Sequence, residues 1–315
     1  MSLSDAFDRH AVSTLADVDR SKVLALFVFL APGLTLFTIF SVAPMAYSLV
    51  GSFFEWDAFT MTHFVGLQTW RAALTDPLII NWQGVLALEF PMGALPQNLL
   101  WMVIHVPVST LLGLGLALLF ADLKGRRVLR SMVFVGFTTP TVVVGLVLLF
   151  IYDPQAGVVN AVLRSLGLSA FVQNWLKQPQ VAIYALIAGG IWIQTGFSML
   201  LYSSALSNLD PALLESARID GAGPYRRFRD IIWPTVRPVT AVVVIMAVIW
   251  VLRLFGIVYA AGGPSGGPFH AYSVLGLEVF RAAFRVPIQY GRAMVIAMIE
   301  LLIALPLAVY IARMN

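Results

Sequence analysis

No cysteine occurs anywhere in the chain. Disulfides, thiol nucleophiles and thiolate metal sites are thereby excluded, while the compartment stays open. Charge is scarce as well: Asp, Glu, Lys and Arg make up 11% of the 315 residues against 59% hydrophobic ones, and mean hydropathy is +0.86. A soluble globule carries about 25% charged residues, so this chain cannot clothe one and must be an integral membrane protein. The four histidines, His10, His63, His105 and His270, are scattered with no metal-ligand spacing. No Walker-type phosphate loop is present, because the Gly-rich run GGPSGGP (262–268) is not followed by Lys-Ser or Lys-Thr. A convergent nucleophile, base or metal set is missing too, which argues against a membrane-embedded enzyme. The first 20 residues lack the basic start and short apolar core of a signal peptide.

What the chain does have is long apolar runs. Six of them, at roughly 23–50, 98–121, 129–152, 181–206, 239–261 and 291–312, match the ~20 helical residues a bilayer core requires. The expected fold is therefore all-α: a polytopic membrane protein with six transmembrane helices over 23–315, preceded by a cytosolic amphipathic tail at 1–22. Pro32, Pro44, Pro107, Pro140 and Pro306 fall inside these runs, where kinks are expected. With the N-terminus inside, 13 of the 20 Lys and Arg lie in inner segments and 6 in outer ones, which favours both termini on the cytoplasmic side. The net charge of +4 and the pI near 9.5 follow from this topology and do not point to nucleic acid. Outer segments 51–97 and 153–180 are each expected to carry a short helix, at 66–77 and 157–166. Gly113 and Gly115 would let helices approach closely.

One stretch leaves the bilayer although apolar runs flank it. Residues 207–238, SNLDPALLESARIDGAGPYRRFRDIIWPTVRP, hold five arginines and four acids. Asp210 suits an N-cap and Pro211 the first helical position. Gly221 suits the C-terminal cap, Pro224 opens a second helix and Pro234 is expected to limit it. Two short helices with a bend between them are predicted, at the inner surface.

The spacing within that stretch resembles a known family. Glu215-Ser216-Ala217, three residues, Gly221, nine residues, Ile231, one residue and Trp233-Pro234 is similar to the EAA loop of permease subunits in binding-protein-dependent ABC importers, with Ser216 for the usual Ala and Trp233 for the usual Leu. The wider text ESARIDGAGPYRRFRDIIWP resembles the carbohydrate branch, of the maltose, α-glucoside and glucosylglycerol type, and the resemblance covers roughly 25–315. It implies a type I ABC importer transmembrane domain in a bacterial or archaeal inner membrane. It also implies two separate ATPase subunits that bind ATP and Mg, a second permease subunit as heterodimer partner, an extracytoplasmic solute-binding protein and a carbohydrate substrate. Glu215, Ser216, Ala217, Asp220, Gly221, Ile231 and Pro234 would couple the chain to the ATPase. No cofactor is expected in the chain itself.

Inside the membrane, Gln194 and Phe197 of GIWIQTGFSML (190–200), with Trp192 and Thr195, offer the rings and hydrogen-bonding groups a sugar needs. In maltose-type permeases, which this stretch resembles, solute contacts come from this span and its two neighbours, and Gln194 and Phe197 fall on two of those positions. Helix packing is the competing role for both. Trp250 is a further candidate. Arg253 and Glu300 lie at similar depth in spans five and six, so they are a structural ion pair or solute ligands, or else Arg253 is unpaired and snorkels. The alternative function they suggest is an ion-coupled secondary transporter that uses Arg253 and Glu300 as coupling charges.

Overall fold

A computed structural model describes residues 20–57, 59–121 and 123–314. The expected tail at 1–22 lies outside the described residues up to position 19. The chain divides into two units at Gly51/Ser52.

In the first unit α1 (Arg20–Phe37) and α2 (Ala43–Gly51) are joined by one turn of π-helix at Thr38–Val42. Pro44 explains that turn. A proline ring has no N–H to donate and collides with the carbonyl four residues back, here that of Phe40. The wide turn, in which the Ala43 N–H reaches back to Thr38 O, opens the ladder just ahead of the ring. The helix thus stays continuous through the apolar stretch Phe27–Gly51.

The second unit opens with a hairpin, β1 (Phe54–Asp57) paired antiparallel to β2 (Thr60–Phe64), in which Phe54 faces Phe64 edge-on at 5.5 Å. This hairpin is the departure from an all-α chain. Two short helices follow, α3 (Gln68–Thr75) and α4 (Trp82–Ala87), and then α5 (Ala94–Leu119). Next come α6 (Arg126–Thr138), α7 (Thr141–Ile151), α8 (Val158–Ser165) and the long α9 (Pro179–Ser207). After these lie α10 (Pro211–Ile219), α11 (Pro224–Arg227), α12 (Trp233–Leu252), α13 (Gly256–Gly262), α14 (Leu275–Phe284) and α15 (Tyr290–Met314).

The hub of this unit is α9, two thirds (67%) of whose most apolar stretch is buried and which packs against α5, α6 and α12. Small residues make that packing possible, as between helices in lipid. A Cβ at Gly113 would lie 2.3 Å from Ser198 Cβ and 2.9 Å from Met199 N, and one at Gly196 would lie 2.7 Å from Val133 O. Gly115, by contrast, has open space beside it, so the close approach expected of both glycines belongs to Gly113 alone. Gly113→Ala is therefore expected to lower thermal stability by about 2 kcal/mol through overpacking. Gly115→Ala should be neutral or stabilising by up to ~1 kcal/mol. Melting curves of the two purified variants check this, and equal melting temperatures would contradict the packing.

Three expected spans differ. Residues 129–152 do not form one rod: α6 and α7 meet at a bend of 103°. Pro140 lacks a donor and pushes the residue before it out of the helical region, and Thr139 is indeed extended (φ −79°, ψ 129°). The fifth run also ends early. Its helix stops at Leu252, with Arg253 as the C-terminal cap, and the chain restarts as α13. The buried side chain of Asn98 accounts for the stop, because its amide donates to Val251 O at 3.0 Å while its oxygen accepts from Leu275 N at 2.7 Å. Finally, among the described residues four helices are long and apolar enough to cross a membrane, or five if the bent pair is one span. Six was expected. The sixth run is present as α15, which carries Arg292 and Glu300.

Segments 51–97 and 153–180 hold the short helices expected of them, α3 and α8. Asn160 anchors the latter, its amide reaching Gln173 O at 2.9 Å and its oxygen accepting from Trp175 Nε1 at 2.9 Å. The Asp153 carboxylate takes the N–H groups of Ala156 and Gln155, which hold it below the usual carboxylate range.

Candidate functional site

Two places carry the sequence-predicted residues. The first is the elbow at 207–238. The Asp210 side chain accepts from Ala212 N at 2.9 Å, and Pro211 occupies the first turn, where no donor is missed. At the other end Ala222 N–H bonds to Ala217 O and Gly221 N–H to Arg218 O, the paired bonds of a Schellman cap. Gly221 sits at φ +74°, a left-handed conformation that a side chain resists. The helix between these caps, α10, buries none of its residues. Glu215, Ser216, Asp220 and Gly221 are exposed, and so are the apolar side chains of Leu213 and Ile219.

The second arm of the elbow differs from its expected form. Pro234 does not end it. The helix runs without interruption from Pro224 to Leu252, through a π turn at Phe228–Ile232 in which Trp233 N–H reaches Phe228 O. This repeats the device ahead of Pro44, since the turn clears the carbonyl of Asp230 from the Pro234 ring. Phe228 and Ile232 pack against a cluster of Leu114, Ala117, Met199, Tyr202 and Val236, and Tyr202 OH donates to Thr240 Oγ1 at 3.0 Å. The half-buried Ile231 belongs to this arm. One arm of the elbow is thus free and the other is fixed to the bundle. Its ion pairs, Arg226–Asp230 at 3.6 Å and Arg229–Asp230 at 4.0 Å, are exposed and contribute little.

The second place is a cavity of about 380 Å³ between α6, α7, α9 and α12. It brings together Gln194, Phe197, Trp250 and Arg253, four of the five residues singled out for the solute. Gln194, midway along α9, is buried, and its amide makes no hydrogen bond among the described residues. Phe197 stacks on Phe137 at 4.9 Å between ring centres. Trp250 stacks almost parallel on His105 at 4.8 Å, with Trp101 at 6.1 Å, so its plane is held from behind. Arg253, at the helix end, is exposed and makes no ion pair among the described residues. Apolar walls, aromatic faces, an unbonded amide and one guanidinium make a lining suited to a polar, ring-shaped solute.

Other expected residues stay outside. Thr195 spends its hydroxyl on Ile191 O at 2.7 Å, and Trp192 packs where Gly136 leaves room. Glu300 does not pair with Arg253. The early end of α12 leaves Arg253 at the cavity, whereas Glu300 lies on α15, away from the cavity lining, with Oε1 buried and without a hydrogen-bond partner among the described residues. Sequence reasoning missed Phe137, Thr141 and Phe255, which also line the cavity, together with Met246, Ile249 and Leu254. The Thr139-Pro140 pair was their available signal, because the bend there brings both Phe137 and Thr141 to one wall.

Comparison with known proteins finds one family model, "Binding-protein-dependent transport system inner membrane component", matching residues 109–313. A "Probable ABC transporter permease protein" of Pyrococcus horikoshii is 39% identical over 87% of this chain and 92% of its own length. The trehalose/maltose transport system permease protein MalF of Thermococcus litoralis is 35% identical over 56% of this chain and 60% of its own. Among solved structures, a bacterial alginate ABC transporter in complex with an alginate pentasaccharide-bound periplasmic protein matches with a TM-score of 0.72 at 21% identity, over 93% of this chain and 94% of that one.

Proposed function

Since the chain belongs to the family of inner membrane components of binding-protein-dependent transport systems, we propose that it is one of two permease subunits of a carbohydrate importer driven by separate ATPase subunits. In this reading it crosses the inner membrane six times with both termini cytoplasmic. The bent pair α6–α7 serves as one span, and α15, at 25 residues or roughly 37 Å, serves as the sixth. ATP and Mg bind to the partner subunits. The elbow residues Glu215, Ser216, Ala217, Asp220, Gly221, Ile231 and Pro234 link those subunits to the bundle, and the cavity alternates between outward and inward access. An extracytoplasmic binding protein delivers the solute, a reading supported by the similar alginate transporter, solved in complex with a pentasaccharide-bound periplasmic protein.

The observation that carries the carbohydrate reading is the Gln194 amide, unbonded within the protein and lining the cavity beside the Phe137–Phe197 pair. An amide with no protein partner keeps its two donors and its acceptor for a ligand that can meet them. Sugar hydroxyls do so, and their C–H faces stack on the rings. The cavity volume falls in the ~300–1,000 Å³ range of small-molecule sites. The trehalose/maltose relative supports an α-glucoside or another disaccharide-sized sugar. The ion-coupled alternative is not favoured, because Arg253 and Glu300 do not pair and the family is binding-protein-dependent.

The test is reconstitution of the chain with its ATPase subunits, second permease and binding protein in proteoliposomes, followed by a screen of sugars for stimulated ATP hydrolysis. An α-glucoside is expected to stimulate it. Uptake that continues without ATP, or stimulation only by non-sugar solutes, would refute the proposal.

A further inference from the structure

A pocket of about 170 Å³ outside both sites gathers three guanidinium groups: Arg281 of α14, Arg285 just beyond it and Arg292 in the first turn of α15. Two carboxylates answer them. Glu278, buried, accepts from Ser273 Oγ at 2.6 Å and from Arg281 Nη1 at 2.7 Å, and Asp76 pairs with Arg292. One positive charge is left over. The Arg285 side chain has no partner among the described residues. Arg292 Nη2, itself buried, lies 3.8 Å from Glu278 Oε2, beyond hydrogen-bond reach, and has no hydrogen-bond partner among the described residues. A buried charged donor left unmet is costly, and guanidinium groups match phosphate oxygens in pairs.

The surroundings identify the source of such an anion. Val286 lines the pocket and is 92% exposed, and Phe284 and Ile288, two residues to either side of it in the chain, are exposed as well. Tyr290, at the first residue of the apolar α15, has the rings of Trp56 and Phe59 at 5.7 and 5.4 Å. Aromatic groups at the end of a membrane helix mark the level of lipid headgroups. A free anion has no use for the apolar rim, and an amphiphile uses both. We propose that this pocket binds the phosphodiester headgroup of an anionic phospholipid, whose acyl chains lie along Phe284, Val286 and Ile288. This is separate from transport of the solute and does not depend on which solute is carried.

Native mass spectrometry of the assembled, detergent-purified transporter tests it with phosphatidylglycerol, phosphatidylcholine and inorganic phosphate as probes. Phosphatidylglycerol should be retained over phosphatidylcholine and should resist displacement by inorganic phosphate. Arg285→Gln, at an exposed position, should weaken that retention about tenfold, Arg285→Glu should weaken it further and Arg285→Lys should restore part of it. Equal retention of the two lipids would overturn the proposal, as would displacement by inorganic phosphate, which would mark a free-anion site. Unchanged lipid retention in Arg285→Gln would overturn it too, and weakened docking of the binding protein to that variant would then assign the pocket to a protein carboxylate.

Discussion

Glu215→Ala is expected to leave the chain in the membrane at its normal level, yet to cut solute-stimulated ATP hydrolysis and uptake by the assembled transporter at least tenfold. The two halves of that expectation rest on different facts. Glu215 is exposed on α10, a helix with no buried residue, and it makes no ion pair among the described residues. Exposed substitutions away from caps and cores stay within about 0.5 kcal/mol, and alanine is the best helix former. The fold therefore has nothing to lose. In the proposed reading its contribution lies with a partner, because a helix that keeps Leu213 and Ile219 exposed beside its charges has a face suited to being covered. Coupling energies between sites run about 1–3 kcal/mol, or 5- to 150-fold, which sets the size of the effect. Insertion is read from membrane yield and coupling from ATPase assays with and without solute. Wild-type uptake by the variant would remove the role proposed for the elbow.

Gln194→Leu should separate two quantities that usually fall together. Leucine is close to glutamine in size, so α9 keeps its packing, and the amide it removes makes no hydrogen bond among the described residues. Replacing a buried, unbonded polar group by an apolar one of similar shape is neutral or stabilising. The melting temperature of the solute-free transporter should hold or rise. The half-saturating solute concentration should increase about tenfold, the value of a hydrogen bond lost to a group that stays desolvated. A packing role predicts the reverse, with stability lost and apparent affinity unchanged.

How much of this was legible in the sequence depended on where the cause of each feature lay. The caps of α10 were readable because Asp210, Pro211 and Gly221 act within a few residues of themselves. Gln194, Phe197, Trp250 and Arg253 could be named as candidates because polar groups and rings stand out in apolar runs. The stop at Leu252 could not be read. VLRLFGIVYAAGG continues the apolar pattern, and the cause is Asn98, 153 residues away, taking the Val251 carbonyl. Gly256 follows because a Cβ there would lie 2.3 Å from Thr141 Oγ1. Pro140 and Pro234 show the same limit from another side. Both announce a disturbance, yet one yields a 103° bend and the other an unbroken helix. The outcome turns on whether the preceding residues widen into a π turn, as Phe228–Ile232 do, or leave the helix, as Thr139 does. The β1–β2 hairpin escaped because strands of four and five residues give alternation too little length to register.

The unbroken helix from Pro224 to Leu252 ties the elbow's anchored arm to the cavity wall in a single piece. Its 29 residues make a lever about 43 Å long, with Tyr225 near one tip and Trp250 near the other. Tilting such a lever by five degrees about its midpoint swings each tip by roughly 2 Å in opposite senses. A displacement of the elbow would then reach the tryptophan face through one continuous helix, in which the π turn at Phe228–Ile232 is the place where the stroke could be absorbed.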